Sequence, residues 1–242
     1  MFKNYIFDLY GTLIDIRTDE DTSDLWKRTA IFYGYRGAMY TPFELRLKYK
    51  EFCSLEKAKT KKAYPDRKHI DINLTKVFEK LYTYKKVTPT KELCEHTANF
   101  FRCCSTEHIR LYDGAEDFLK ALNKKGKNVF LLSNAQHDFT APEIDMLGIR
   151  KYFTDIIISS DVACKKPDPE MYKILFDRHN LTKSETIMIG NDCVADIKSA
   201  FDFGISSLYI HQEISPPITE KLRSNWTIMD GDFCKVMPLI LK

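Results

Sequence analysis

Four short stretches of the chain carry side chains able to act together as a reaction centre: Asp8-Leu9-Tyr10-Gly11-Thr12, Ser133-Asn134, Lys166-Pro167, and Gly190-Asn191-Asp192-x-x-x-Asp196. Three of them stop an apolar run that reads as a buried strand, and Lys166 lies just beyond a fourth. A carboxylate at the C-terminal edge of a parallel strand stands where open α/β sheets bind ligands. Gly11 and Thr12 suit a tight loop whose backbone N–H groups approach an anion. A carboxylate, a hydroxyl with an amide, a lysine and further carboxylates converging on one sheet rim are the parts of a phosphate-and-magnesium site. Each has a plainer explanation alone, as a helix cap, a turn or a surface charge. Four such strand ends in one chain are harder to assign to accident.

The elements that must position these residues are legible from hydrophobic pattern. Tyr5-Ile6-Phe7 is a continuous run of β-formers, as expected for a strand covered on both faces. Further strands are expected at 128–132, 156–158, 186–189 and 206–210, with a last edge strand at 226–228. Helices are expected between them: 115–125 closed by Gly126, about 142–147 closed by Gly148, 169–179 opened by Pro169, and 195–203 closed by Gly204. This alternation implies an α/β fold with a doubly wound parallel sheet. Between its first strand and residue 107 the chain reads differently, as helices with no strand. Leu25, Trp26, Thr29, Ile31 and Phe32 suggest one apolar face. Thr41-Pro42 opens a helix to about Ala63, with Phe43, Leu47, Tyr49, Phe52 and Leu55 near one side. Leu74, Val77, Phe78 and Leu81 mark a third helix, and Leu93, Ala98, Phe100 and Phe101 a fourth. Four such helices form a small bundle. The expected organisation is a core from residues 1–16 and 108–242, with a helical insertion at 17–107.

Composition narrows the function classes. The 242 residues are 44% hydrophobic with a net charge of +3, so nothing demands nucleic acid or an acidic membrane surface. No run reaches the ~20 apolar residues of a membrane span, and the first residues lack a secretory signal pattern. Seven cysteines without a C-x-x-C pair fit a reducing, cytoplasmic setting. The basic run Lys57 to Lys62, with Arg67, Lys68 and His69, reads as a solvated helix face or as an attractor of anionic substrate. Cys94, His96, Cys103 and Cys104 match no zinc spacing. No G-x-G-x-x-G follows a strand and no Walker sequence appears, which disfavours dinucleotide and nucleoside triphosphate binding.

Taken in order, the four motifs resemble those of the haloacid dehalogenase-like hydrolase superfamily, over essentially the whole chain. The 17–107 insertion is similar to the helical cap that part of the family carries between its first and second motifs. The resemblance implies a Rossmann-like core and a small-molecule substrate. It implies Asp8 as nucleophile, with Mg²⁺ held by Asp8, the Tyr10 carbonyl and Asp192, while Asp196 would add a direct or water-mediated contact or only orient the site. Ser133 would bind a phosphoryl oxygen, Lys166 would balance charge, and Gly11, Thr12 and Asn134 would line the phosphate, Asn134 chiefly by supporting its loop. Specificity would come from the cap, where Tyr33, Tyr35, Arg36 and Tyr40 are candidates. Tyr10 departs from the phosphatase pattern, which has a second aspartate there to protonate the leaving group. An ordinary phenol, titrating at about 10, is no equivalent. The Asp-x-Tyr form resembles the dehalogenase branch, in which the aspartate attacks carbon without a metal. The acidic fourth motif resembles the magnesium-dependent form and favours a phosphatase of a small phosphorylated metabolite. A 2-haloacid dehalogenase and a non-catalytic binding protein on the same fold stay open.

Overall fold

In the computed structural model, which describes residues 2–240, the chain alternates as expected outside its helical block. The strands are β1 (Asn4–Phe7), β2 (Ile14–Thr18), β3 (Thr106–Leu111), β4 (Asn128–Ser133), β5 (Asp155–Ile158), β6 (Thr186–Gly190), β7 (Ser206–Ile210) and β8 (Trp226–Ile228). The first four helices are α1 (Ser23–Tyr35), α2 (Pro42–Ala63), α3 (Leu74–Tyr84) and α4 (Lys91–Ser105). After β3 come α5 (Ala115–Lys124), α6 (His137–Met146), the single turn α7 (Ser159–Val162) and α8 (Glu170–His179). A π-helical turn over Cys193–Lys198 leads into α9 (Ser199–Phe203), and α10 (Val236–Ile240) follows β8. Among the described residues no helix is long and apolar enough to cross a membrane.

Six strands form one sheet in the order β5-β4-β1-β6-β7-β8, every pairing parallel. β1 lies in the interior, with Phe7 opposite Leu131 of β4 and Ile189 of β6. Its period-two alternation feeds two cores. Tyr5, Phe7 and Leu9 pack with Phe118, Leu119 and Leu122 of α5 on one face. Ile6 packs with Met171, Tyr172 and Leu175 of α8 on the other. Burying a large apolar side chain stabilises by about 1.5–3 kcal/mol, so β1 is held firmly from both sides. The residue leaving it, Asp8, inherits that rigidity.

Helices α1 to α4 share a third core, in which Trp26 meets Tyr49 and Phe101 edge-on at 5.3 and 5.5 Å. Phe139 of α6 belongs to the same cluster and joins it to the sheet layer. Helix α2 starts as expected, with the Thr41 hydroxyl accepting from Glu44 N at 3.1 Å. Its buried stripe is Leu45, Tyr49, Phe52, Glu56 and Thr60, while Phe43, Leu47 and Leu55 are exposed. The i, i+4, i+7 spacing from Leu45 thus decides the face, and Glu56 is tolerated inside because Lys80 pairs with it at 2.6 Å. On α1, Ile31 is exposed and Ala30 and Tyr33 face inward. The cysteines are free, and Lys57, Lys59, Lys61 and Lys62 are exposed.

Two expectations from the sequence fail in instructive ways. A strand pair bounds the helical block where none was expected: β2 and β3 run antiparallel, with Asp15 opposite Arg110 and joined to it at 2.9 Å. Their exposed face is polar, so neither segment carries a strong apolar signal. Helix α6 begins at His137, five residues before the expected Pro142, which sits inside it. Proline there cannot donate to the carbonyl of Asp138. That carbonyl accepts instead from Asn99 Nδ2 of α4 at 2.9 Å, a bond that also ties the helical block to the sheet layer.

Candidate active site

Asp8 leaves β1 with its N–H on the Ile189 carbonyl at 3.0 Å, so it remains in register with β6. A tight loop follows. The Leu9 carbonyl accepts from Thr12 N, Leu13 N and Ile14 N, and Gly11 N donates to the Ile14 carbonyl. Gly11 has φ +78°, and a Cβ there would lie 2.2 Å from Asn191 Nδ2. Glycine is required for both reasons. Because the Gly11 and Thr12 amides are spent inside the loop, they are not free to cradle an anion. The Thr12 hydroxyl is the loop's contribution to the site, 3.3 Å from Asp8 Oδ2 and 3.2 Å from Asn191 Oδ1.

The ammonium of Lys166 sits between two carboxylates, 2.7 Å from Asp8 Oδ1 and 2.7 Å from Asp196 Oδ1. Lys166 and Asp196 are almost wholly buried and Asp8 nearly so, at 2, 1 and 9% exposure. Burial alone would strip the lysine of its charge, but Asp196 and Asp8 hold its pKa above the ordinary value. Burial pushes the Asp196 carboxyl up, against the pull of Lys166, and the charge of Asp8 adds to the rise. Asn134 fixes the lysine from behind: its Nδ2 donates to the Lys166 carbonyl at 2.9 Å and its Oδ1 accepts from Lys166 N at 2.8 Å. The Ser133 hydroxyl, buried at the end of β4, has no hydrogen-bond partner among the described residues. A buried orphan hydroxyl carries a desolvation cost of about 1–3 kcal/mol, which an incoming acceptor would relieve.

The fourth motif is divided differently from its sequence reading. Asp192 caps the helix that follows, its Oδ1 accepting from Val194 N and Ala195 N at 2.8 Å each. Asp196 is committed through both oxygens, one to Lys166 and the other to Asp192 N at 3.0 Å. Gly190 makes room for it, since a Cβ there would stand 2.3 Å from Asp196 Oδ2. The side chain that β6 sends towards Asp8 is Asn191, 4% exposed, with Oδ1 on Thr12 and Nδ2 donating to Ser215 Oγ at 3.1 Å. Nothing in the spacing distinguished Asn191 from Asp192, because a one-residue offset at a strand end exchanges the faces.

On the Asp8 side, the oxygens that would meet a divalent cation are Asp8 Oδ2 and the Asn191 amide oxygen, which share the Thr12 hydroxyl, and the Tyr10 carbonyl, which the loop's hydrogen bonds bypass. Asp192 Oδ2 takes no hydrogen bond among the described residues, but it belongs to a carboxylate whose Oδ1 caps the next helix. Among the described residues no group of three His, Cys, Asp or Glu is placed to hold a metal. Magnesium accepts one carboxylate when waters and substrate phosphate supply the remaining oxygens. The donors therefore fit the ion as an incomplete site.

The Tyr10 side chain turns away into the seam with α6 and α4. Its hydroxyl donates to Glu143 Oε2 at 2.5 Å and lies 2.8 Å from the Thr140 hydroxyl. Arg102 of α4 lies over its ring at 5.4 Å and pairs with Glu143 at 2.6 Å. Burial first, and the Glu143 charge second, raise the phenol well above its ordinary pKa. It keeps its proton.

A strap between α2 and α3, which the sequence presents only as the end of a basic run, lies along the rim. Lys68 N and His69 N donate to Asp168 Oδ2 at 2.8 and 3.1 Å, and Lys165 N donates to the His69 carbonyl at 2.9 Å. Ser159 Oγ donates to Asp71 at 2.5 Å, and Gln136 takes both Ile72 and Leu74. Of the aromatic and basic residues put forward for specificity, Tyr33 and Tyr40 are buried in the helical core, hydrogen-bonded to the carbonyls of Phe78 and Leu81. Tyr35 and Arg36 are exposed.

Comparison with known proteins gives the family and the fold. The family model for haloacid dehalogenase-like hydrolases matches residues 2–204. A phosphoglycolate phosphatase of Pseudomonas fluorescens is 30% identical over 139 residues, which is 55% of this chain and 48% of the relative. The chain thus spans about half the length of the curated relatives it matches. In structure, a 2-haloacid dehalogenase of Pseudomonas syringae pv. Tomato superposes with a TM-score of 0.69 at 17% identity, over 100% of this chain and 98% of the other. A HAD phosphatase of Thermococcus onnurineus gives 0.61 at 13% identity, over 99 and 98%. At these identities the two structures speak for the fold alone.

Proposed function

The chain belongs to the haloacid dehalogenase-like hydrolases, and from that premise we propose that it is a phosphatase of a small phosphorylated metabolite with Asp8 as nucleophile. One observation carries the reading: Lys166 holds Asp8 through Oδ1, while Oδ2 has only the long, shared contact with Thr12. A carboxylate so held is oriented and charged, yet has one oxygen free to attack. The choice of phosphorus as the target draws on the phosphatase names of the sequence relatives.

In the reaction, Asp8 Oδ2 forms a bond to phosphorus as the ester oxygen leaves, giving an aspartyl-phosphate. Ser133 donates to a phosphoryl oxygen and so satisfies its own orphan hydroxyl. Lys166 offsets charge at Asp8 and at the transferring group. Water then attacks phosphorus, its proton passes to solvent, and the P–O bond to Asp8 breaks to release phosphate and restore the carboxylate. Magnesium, when bound at Asp8, the Tyr10 carbonyl and Asn191, supplies the charge neutralisation that lets one anion approach another. The helical block at 17–107 acts as a cap that admits substrate and excludes water. No acid stands ready for the leaving group, because the Tyr10 hydroxyl is committed to Glu143. The enzyme therefore favours aryl or acyl phosphates, whose leaving groups depart without protonation.

The locked Tyr10 and the neutral Asn191 favour a second reading, displacement of halide from a 2-haloacid by Asp8 without a metal. One panel separates the two: purified protein with an aryl phosphate, an alkyl phosphate and 2-chloropropionate, each with and without Mg²⁺, beside an Asp8→Asn control. Magnesium-dependent phosphate release, faster for aryl than alkyl esters and lost in the control, is expected. Metal-independent chloride release supports the second reading. No turnover of any of them, with the control identical, assigns the fold a binding role.

A further inference from the structure

We infer that Asn191, and not Asp192, is the residue of the fourth motif that faces the nucleophile, and that its neutral side chain keeps the free protein from retaining magnesium until a phosphorylated ligand supplies the missing charge. The inference rests on the phosphatase reading for its ligand, but its geometry stands independently.

Three observations converge. The Asn191 amide oxygen and Asp8 Oδ2 share the Thr12 hydroxyl, at 3.2 and 3.3 Å, which places them on one side of the loop. Gly11 packs against the Asn191 side chain so closely that a Cβ would lie 2.2 Å from its amide nitrogen. Asp192 turns one carboxylate oxygen, Oδ1, to two backbone N–H groups at the start of the π-helical turn. Swinging it to Asp8 would orphan both donors and lose a helix cap, at a cost of about 1 kcal/mol or more.

The charge balance follows from the same contacts. Asp8 and Asp196 bring two carboxylates, and Lys166 brings one ammonium that touches both. Within this trio one negative charge remains, beside the neutral Asn191 amide. Magnesium gives up its waters reluctantly and is ordinarily held through one or two carboxylates together with substrate phosphate. With a single carboxylate oxygen and neutral partners, the site depends on the substrate's phosphoryl oxygens. An aspartate at 191 would supply a second charge beside Asp8. It would repel Asp8 in the absence of metal and bind the cation without help from a phosphate.

The test measures cation binding directly in the full chain. Mn²⁺ is titrated by electron paramagnetic resonance and Mg²⁺ by calorimetry, with and without inorganic phosphate, alongside melting curves in Mg²⁺ and in EDTA. The wild type is expected to bind at least about tenfold tighter with phosphate present than without it. Asn191→Asp is expected to bind at least about tenfold tighter than wild type without phosphate, and to melt higher in Mg²⁺ than in EDTA. Asp192→Ala is expected to leave cation affinity unchanged. Tight binding by the wild type without phosphate, or a marked loss of affinity in Asp192→Ala, overturns the proposal, and so does a folded Asn191→Asp that gains nothing. Should Asn191→Asp fail to fold, the wild type and Asp192→Ala still decide. If the aryl phosphate is not hydrolysed while Asn191→Asp gains the cation, the phosphatase reading fails and the assignment of Asn191 stands.

Discussion

The loop after β1 feeds two buried charge clusters from residues only two positions apart, and the clusters are built to opposite ends. Asp8 enters a group of two carboxylates around one ammonium, with a negative charge in excess and one oxygen underused. Tyr10 enters a group in which Glu143 and Arg102 match one to one, with the phenol and Thr140 filling the remaining contacts. The first is unfinished without a ligand, and the second is complete. An unmatched buried charge is costly and persists where something is expected to bind it. A matched one needs nothing more and serves as a joint between the helical block and the sheet layer.

The comparison breaks most sharply at Lys166. Replacing it in Lys166→Met leaves Asp8 and Asp196 facing each other in a buried site. Activity is expected to fall by about 10²–10³-fold or more, the loss typical of removing one preorganised charge partner from a developing anion. Stability should fall too, by about 3–5 kcal/mol, because one partner of a buried ion cluster has gone. The two effects are read separately, by turnover per folded molecule and by urea unfolding. A variant with full activity would mean that Lys166 is a structural counter-ion and that the two clusters do not differ in kind.

Glu143→Gln probes the matched cluster. It strands the Arg102 guanidinium, whose side chain is 13% exposed, between the rings of Tyr10 and Phe139. The expected loss is about 2–4 kcal/mol, somewhat less than for a wholly buried pair. For a chain of this size that corresponds to a drop in Tm of roughly 5–15 °C. Turnover per folded molecule, measured well below the transition, should change far less than in Lys166→Met. A loss of activity as large as that of the lysine variant, at unchanged stability, would move Glu143 into the reaction centre.

How much of this was legible beforehand depends on how local the signals are. Asp8, Lys166 and the six strands of the parallel sheet follow from short, mostly apolar runs that stop at or near a polar residue, a pattern read within a few positions, whereas the order of the strands comes from the fold. The sequence offers Asp196 as a metal contact or as an orienting group, and only the fold reveals that a buried lysine lies between it and Asp8. The β2–β3 pair leaves little signal in the sequence because Ile14 and Leu111, which face each other, are far apart in the chain and have polar residues beside them. Residue type alone favours the acidic Asp192 over Asn191 as a ligand. The helix cap that occupies Asp192 is a backbone property. The Tyr10 joint needed three separate segments, the β1 loop, α4 and α6, and no periodicity links them.

Tyr10→Phe sharpens the comparison with the smallest change. It removes one hydroxyl and leaves the ring beneath Arg102, so the packing survives. Glu143 loses a charge-assisted hydrogen bond and keeps Arg102, which should cost about 1–2 kcal/mol. The Tyr10 carbonyl, the only atom of this residue expected at the metal, is untouched. A group acting as general acid or base contributes about 10²–10⁴-fold, so a catalytic phenol would announce itself as a loss of that size. The raised pKa of Tyr10 and its donation to Glu143 place the hydroxyl outside the chemistry. Turnover on an aryl phosphate is therefore expected to stay within about tenfold of wild type. An alkyl phosphate, which needs a protonated leaving group, is the more demanding substrate. If Tyr10→Phe slows the alkyl ester about a hundredfold while sparing the aryl ester, the phenol delivers a proton after all, and the two clusters work as one.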